Sequence, residues 1–115
     1  MNIHQFPVAF GKVAVDGGGS ATVFSALAGG RWNLLAGELG YANLANSCTV
    51  SLYEIDSSQS SVYFRTMTSA TSGALHFNYG PIGVQASATT SRLVIEIGTY
   101  AGTFNGVFSG YYVGA

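Results

Sequence analysis

Charge is the scarcest thing in this sequence. Of 115 residues, four are Lys or Arg and five are Asp or Glu, 8% in all, where an ordinary soluble domain carries about 25%. Four cations and a net charge of −1 give no electrostatic footprint for DNA or RNA, which needs clustered Lys and Arg to displace counterions. The same shortage rules out a polybasic patch for a membrane surface. Cysteine is reduced to Cys48, so the chain has no internal disulfide and shows no adaptation to an oxidising compartment. Long hydrophobic runs are missing too, and none approaches the roughly 20 residues of a membrane-spanning helix. The opening residues, Met-Asn-Ile-His-Gln-Phe-Pro, lack the basic and apolar regions of a signal peptide, so synthesis in the cytoplasm is expected. The strong helix formers Glu, Lys, Gln and Arg are few beside 16 glycines, which argues against a helical protein. An apolar fraction of 48% argues equally against disorder, which pairs low hydrophobicity with high charge.

What the sequence has in plenty is Val, Ile, Thr, Tyr and Phe at a period of two, the pattern of half-buried strands. Phe6, Val8 and Phe10 alternate, and Val13 and Val15 continue the run. Asp16-Gly-Gly-Gly-Ser20 follows as a turn signal and Ala21–Leu27 as the next strand, which together predict an N-terminal hairpin. A short strand is expected over Arg31–Leu35 and a loop over 36–46. In Cys48–Ile55 the residues Cys48, Val50 and Leu52 share one face. Asp56–Ser60 reads as a turn and Ser61–Met67 as a strand. Leu75, Phe77 and Tyr79 alternate with His76 and Asn78, and Leu93, Ile95 and Ile97 with Arg92, Val94 and Glu96. A last strand runs from Thr103 to Val113, where Gly106 and Gly110 suggest bulges or sharp twist. Eight or nine short strands, with turn signals every 8–12 residues, predict an all-β antiparallel sandwich, jelly-roll-like, over one domain of residues 1–115.

The groups able to do chemistry are few. The glycines at 17–19 lack the Gly-Lys-Ser/Thr and the helix start of a phosphate loop. His4 and His76 have no partner at zinc-ligand spacing, and Cys48 lies on an apolar face. No Gly-x-Ser-x-Gly elbow is present. The carboxylates Glu54, Asp56 and Glu96 are the remaining candidates for acid–base work, and Asp56 sits where acidic turn residues are common. The expectation is a non-enzyme with no cofactor and no metal. Trp32, flanked by Arg31 and Asn33, is the one candidate platform for a sugar ring in an alternative reading as a carbohydrate-binding module.

Residues 66–91 and 97–115 contain no Lys, Arg, Asp or Glu. Exposed strands so poorly guarded invite association, and interface cores are poor in Lys, Glu and Asp and rich in aromatics. We therefore expect neighbouring subunits over these segments, with residues 1–10 as a docking arm. The contact candidates are Ile3, Phe6, Val8, Phe10, Tyr100, Phe108, Tyr111 and Tyr112. The expected partners are other copies of the chain, in a trimer or another closed oligomer, and a second structural protein. A fibre-forming surface protein is a further reading of the long uncharged strands.

The stretch Lys12-Val-Ala-Val-Asp-Gly-Gly-Gly-Ser-Ala-Thr-Val-Phe-Ser25 resembles the opening of small virion proteins of tailed bacteriophages. Ser91-Arg-Leu-Val-Ile-Glu-Ile-Gly98, followed by Gly102-Thr-Phe104, is similar to their C-terminal part. The ending Gly-Tyr-Tyr-Val-Gly-Ala departs from that pattern. The resemblance implies a β-sandwich structural protein of the virion, made in the host cytoplasm. Its role would be a capsid cement or decoration protein bridging capsomers, bound to the major capsid protein or another virion protein. A tail, neck or fibre-base component is the alternative. The group has no catalytic residues to carry over.

Overall fold

A computed structural model describes residues 8–16, 19–26, 29–41, 48–68, 73–98 and 103–114. These hold nine strands: β1 (Val8–Asp16), β2 (Ser20–Phe24), β3 (Gly30–Tyr41), β4 (Thr49–Ile55), β5 (Ser61–Thr68), β6 (Gly73–Asn78), β7 (Val84–Gln85), β8 (Arg92–Ile97) and β9 (Thr103–Gly114). Sheet A has the order β1-β9-β3-β6, with the two-residue β7 also on β3, and sheet B the order β2-β8-β4-β5. Every pairing is antiparallel.

The pairs β4–β5, β3–β6, β2–β8 and β1–β9 are nested one inside another along the chain. That is a long antiparallel ribbon folded over on itself, the jelly roll expected from the strand count. The centre of the nest is the turn 56–60. There Asp56 Oδ1 accepts from the amides of Ser58 and Ser60 and from the Ser58 hydroxyl, at 2.9, 3.0 and 2.8 Å. Gln59 takes a positive φ of 67°. A short acidic side chain that bonds the backbone two residues on is the usual device for such a turn.

The nesting corrects the expected N-terminal hairpin. β1 and β2 are consecutive but belong to different sheets, so the chain arches across the sandwich between them. Alternation tells a strand which face is buried; it says nothing about the partner. Gly11 sits inside this arch, where a Cβ would fall 2.5 Å from the carbonyl oxygen of Val23. The expected loop over 36–46 is also corrected, since β3 continues to Tyr41 and only residues 42–47 lie outside the described residues. The expected irregularity of β9 falls on its neighbour instead. β9 pairs with β1 without a break, and the register shift is on β3 between Leu34 and Ala36.

The inner faces of the two sheets meet in one core. Sheet A contributes Trp32, Leu34, Leu39, Phe77, Phe104 and Phe108; sheet B contributes Phe24, Val50, Leu52, Leu93, Ile95 and Ile97, all almost fully buried. Cys48 is buried beside them.

Candidate functional site

Two broad outer surfaces remain once the inner faces are packed, and they are built differently. On sheet A the outward positions are Lys12 and Ala14 of β1; Asn105, Val107 and Ser109 of β9; Ala36, Glu38 and Gly40 of β3; and Ala74, His76 and Asn78 of β6. Few of these side chains are large, and the surface is correspondingly hollow. One depression of about 480 Å³ is lined by Lys12, Ala14, Glu38, Gly40, Asn105 and Val107. A second, of about 470 Å³, is lined by Ala36, Glu38, His76, Asn78, Val107 and Ser109. Glu38 and Val107 stand on the ridge shared by the two. At one end the face is closed by the segment 79–86. The Asn33 side chain donates to the Ile82 carbonyl at 2.9 Å, and the Ala86 amide donates to the Trp32 carbonyl at 2.9 Å.

On sheet B the outward groups engage one another. Tyr53 and Tyr63, opposite in register, stack with ring centroids 4.9 Å apart. The Tyr53 hydroxyl donates to Glu96 Oε1 at 3.2 Å. Burial, and after it the Glu96 carboxylate, raises the tyrosine pKa above its ordinary 10.0. Arg92 donates to the Thr22 hydroxyl at 3.2 Å, and the Ser51 and Thr66 hydroxyls are bonded at 3.4 Å. Val94, which occupies an outward position opposite Thr22 and Tyr53, is only 2% exposed.

The residues singled out in the sequence scatter across this frame. Trp32 is corrected first. It is 1% exposed, packed between Phe24 and Phe64, with its indole N–H donating to the Ser91 carbonyl at 3.0 Å, so it offers no platform for a sugar. Phe108, expected as a contact, is a core residue at 0% exposure. Tyr112 is half-buried against the core, its hydroxyl donating to the Ser25 carbonyl at 3.3 Å. Tyr111 is half-buried and pairs in register with Val8 on one side and Asn33 on the other. Val8 and Phe10 belong to β1, Phe10 opposite Ser109, so the expected arm 1–10 is corrected at its end: 8–10 are sheet. Ile3, Phe6 and Tyr100 lie outside the described residues.

The acidic candidates are kept apart. Glu54 is buried, and its Oε2 accepts from the Ser87 amide and hydroxyl at 3.0 and 3.1 Å. Asp56 is held below its ordinary 3.8, first by the Ser58 hydroxyl and then by the Ser60 amide. Glu96 is on the outer surface of sheet B. Among the described residues, no three His, Cys, Asp or Glu side chains gather into a metal site. What the sequence reading passed over is the Tyr53–Tyr63 pair. Its signal was the spacing that puts Tyr53, unlike Leu52, on the polar side of β4.

These features define a small jelly-roll β-sandwich domain. No family model matches the chain, and no curated protein is similar to it in sequence. Among solved structures it is similar to PirA, at 9% identity and a TM-score of 0.53, covering 94% of this chain and 99% of that one. At that identity the likeness shows the fold alone. A pilus protein of Bacillus endospore appendages matches at 14% identity and a TM-score of 0.44, over 96% of this chain and 90% of that one. The C-terminal family 22 carbohydrate-binding module of Clostridium thermocellum Xyn10B matches at 17% identity and 0.41, over 99% and 87%.

Proposed function

We propose that the protein is a non-enzymatic structural component of a bacteriophage virion. In this reading it is a cement or decoration protein made in the host cytoplasm, which holds capsomers together by covering the surface between them. One observation carries this reading. The two charge-free stretches converge on sheet A, where 66–91 supplies β6 and β7 and 97–115 supplies β9. The outer surface they help to build is wide, hollow and nearly neutral, which is the composition of an interface core. Its work would be done by buried area, repeated over many copies, without ionic steering or a reaction. Quantitative mass spectrometry of particles made with the chain tests the reading. Hundreds of copies per particle are expected for a head protein. A few to a few dozen would move it to the tail, neck or fibre base, and absence from the particle would overturn it.

A second reading, carbohydrate binding, is favoured by the exposed Tyr63 ring (58% exposed) stacked on Tyr53, with Arg92 and Glu96 on the same sheet face. A tyrosine ring beside polar side chains suits a sugar. Binding on a glycan array that Tyr63→Ala abolishes would support it; no binding across the array would end it.

A further inference from the structure

The register sets four exposed side chains in one line across sheet A. Lys12 lies opposite Val107, Val107 opposite Glu38, and Glu38 opposite His76. Lys12 and Glu38 therefore flank Val107, each about 4.8 Å away by the spacing of neighbouring strands. Val107 is 51% exposed. The rows beside this line are neutral: Ala14, Asn105, Gly40 and Ala74 on one side, and Phe10, Ser109, Ala36 and Asn78 on the other. Neither Lys12 nor Glu38 has an ion-pair partner among the described residues. In a chain with so few charges, two of opposite sign stand equally far from an exposed apolar residue, in the middle of an uncharged surface.

From this arrangement we infer that sheet A binds a second copy of the same chain, face to face. This rests on the reading of sheet A as a contact surface and names its partner. A two-fold axis running along β9, between the copies and over Val107, places Lys12 of each copy against Glu38 of the other and the two valines together. An axis at right angles to β9 would oppose Lys12 to Lys12 and Glu38 to Glu38, so the charges select the first orientation. A two-fold contact is self-complementary by construction, and a row that reads cation, valine, anion is self-complementary in that sense. Gly40, Ala36 and Ser109 beside the line are small, which lets the two backbones approach over β3 and β9, with Phe10 in register with Ser109 at the β1 edge. About that axis the three strands β1, β9 and β3 overlap while β6 overhangs. At about 4.8 Å per strand, and about 3.3 Å for each of the nine residues of β1, the contact is roughly 14 by 30 Å. That is smaller than the roughly 800 Å² per partner of a standard specific interface and is the size of a weak, reversible pair. The pair, rather than a trimer, is then the unit in solution.

Sedimentation equilibrium of the full chain tests this, with circular dichroism to confirm that each variant is folded. The wild type is expected to reach twice the 11.9 kDa of one chain. Lys12→Glu and Glu38→Lys each turn two attractive contacts into repulsive ones, and each should raise the dimer dissociation constant at least roughly 30-fold. The double variant K12E/E38K reverses the row and should pair within about threefold of the wild type. An equimolar mixture of the two single variants should pair with each other more tightly than either pairs with itself. A wild type that stays monomeric at about 1 mM, a trimer, single variants that pair like the wild type, or a double variant that fails to recover would each overturn the inference. The copy number in particles is read separately, so failure of the pair leaves the virion reading standing, and the reverse holds as well.

Discussion

The two outer surfaces of the sandwich are filled in opposite ways. On sheet B, Tyr53 is bonded to Glu96, Arg92 to Thr22 and Ser51 to Thr66, and Val94 is covered from within the chain. On sheet A, Val107 is left half-exposed, and Lys12 and Glu38 have no ion-pair partner among the described residues. Charged groups are few on both surfaces, but on sheet B Glu96 and Arg92 are tied to Tyr53 and Thr22 by local hydrogen bonds. What marks sheet A is that Lys12 and Glu38, on either side of the exposed Val107, have no ion-pair partner among the described residues.

Substitutions that differ only in the surface they reach would sharpen or break this contrast. The largest effect belongs to neither outer surface. Phe108 and Val107 are adjacent on β9 but point to opposite sides. Phe108→Ala should lower unfolding free energy by about 3–5 kcal/mol in urea titration, because it opens a cavity against Phe77 in the core. The contrast itself is tested by two valines. Val94→Ala on sheet B should cost about 1.5 kcal/mol, two buried methyl groups' worth, while Val107→Ala should cost the monomer less than about 0.5 kcal/mol. Equal losses at the two positions, measured at dilutions where the chain is monomeric, would mean that sheet A is no more open than sheet B.

Much of this architecture was legible in the sequence, and the failures share a cause. The inward faces of β4 and β8 were plain from Val50 and Leu52 and from Leu93, Ile95 and Ile97, because strict alternation under a buried sheet leaves one solution. Partners were not legible. The Asp-Gly turn after β1 looked like a hairpin, yet the jelly roll pairs β1 with β9 from the far end of the chain. Gly37 and Gly40 hid the second half of β3, since glycine weakens the strand signal; Gly37 faces inward, where a side chain would meet the Phe108 ring, and Gly40 faces outward. Trp32 was misjudged by its neighbours. Arg31 and Asn33 lie on the opposite side of β3 from the indole, Arg31 exposed and Asn33 covered by the segment that carries Ile82, and the alternation that turns them away is what buries Trp32. The facing of Lys12 and Glu38 across Val107 depends on three strands distant in sequence, so no local pattern announced it.

The smallest effect tests sheet B alone. Tyr53→Phe removes the bond to Glu96 and should cost about 0.5–1.5 kcal/mol near neutral pH. Because the folded chain raises the Tyr53 pKa, chiefly by burial and then by the Glu96 carboxylate, the folded state holds this proton more tightly than the unfolded one. The linked stability is therefore complete below the ordinary value of 10.0 and is lost as pH rises through the folded value above it. Thermal melts of the wild type should fall more steeply than those of Tyr53→Phe once pH passes about 10, which narrows the gap between them. Parallel curves would mean that the hydroxyl is free in solution and that Tyr53 and Glu96 on sheet B, like Lys12 and Glu38 on sheet A, do not engage a partner. The contrast between the two surfaces would then rest on Val94 and Val107 alone.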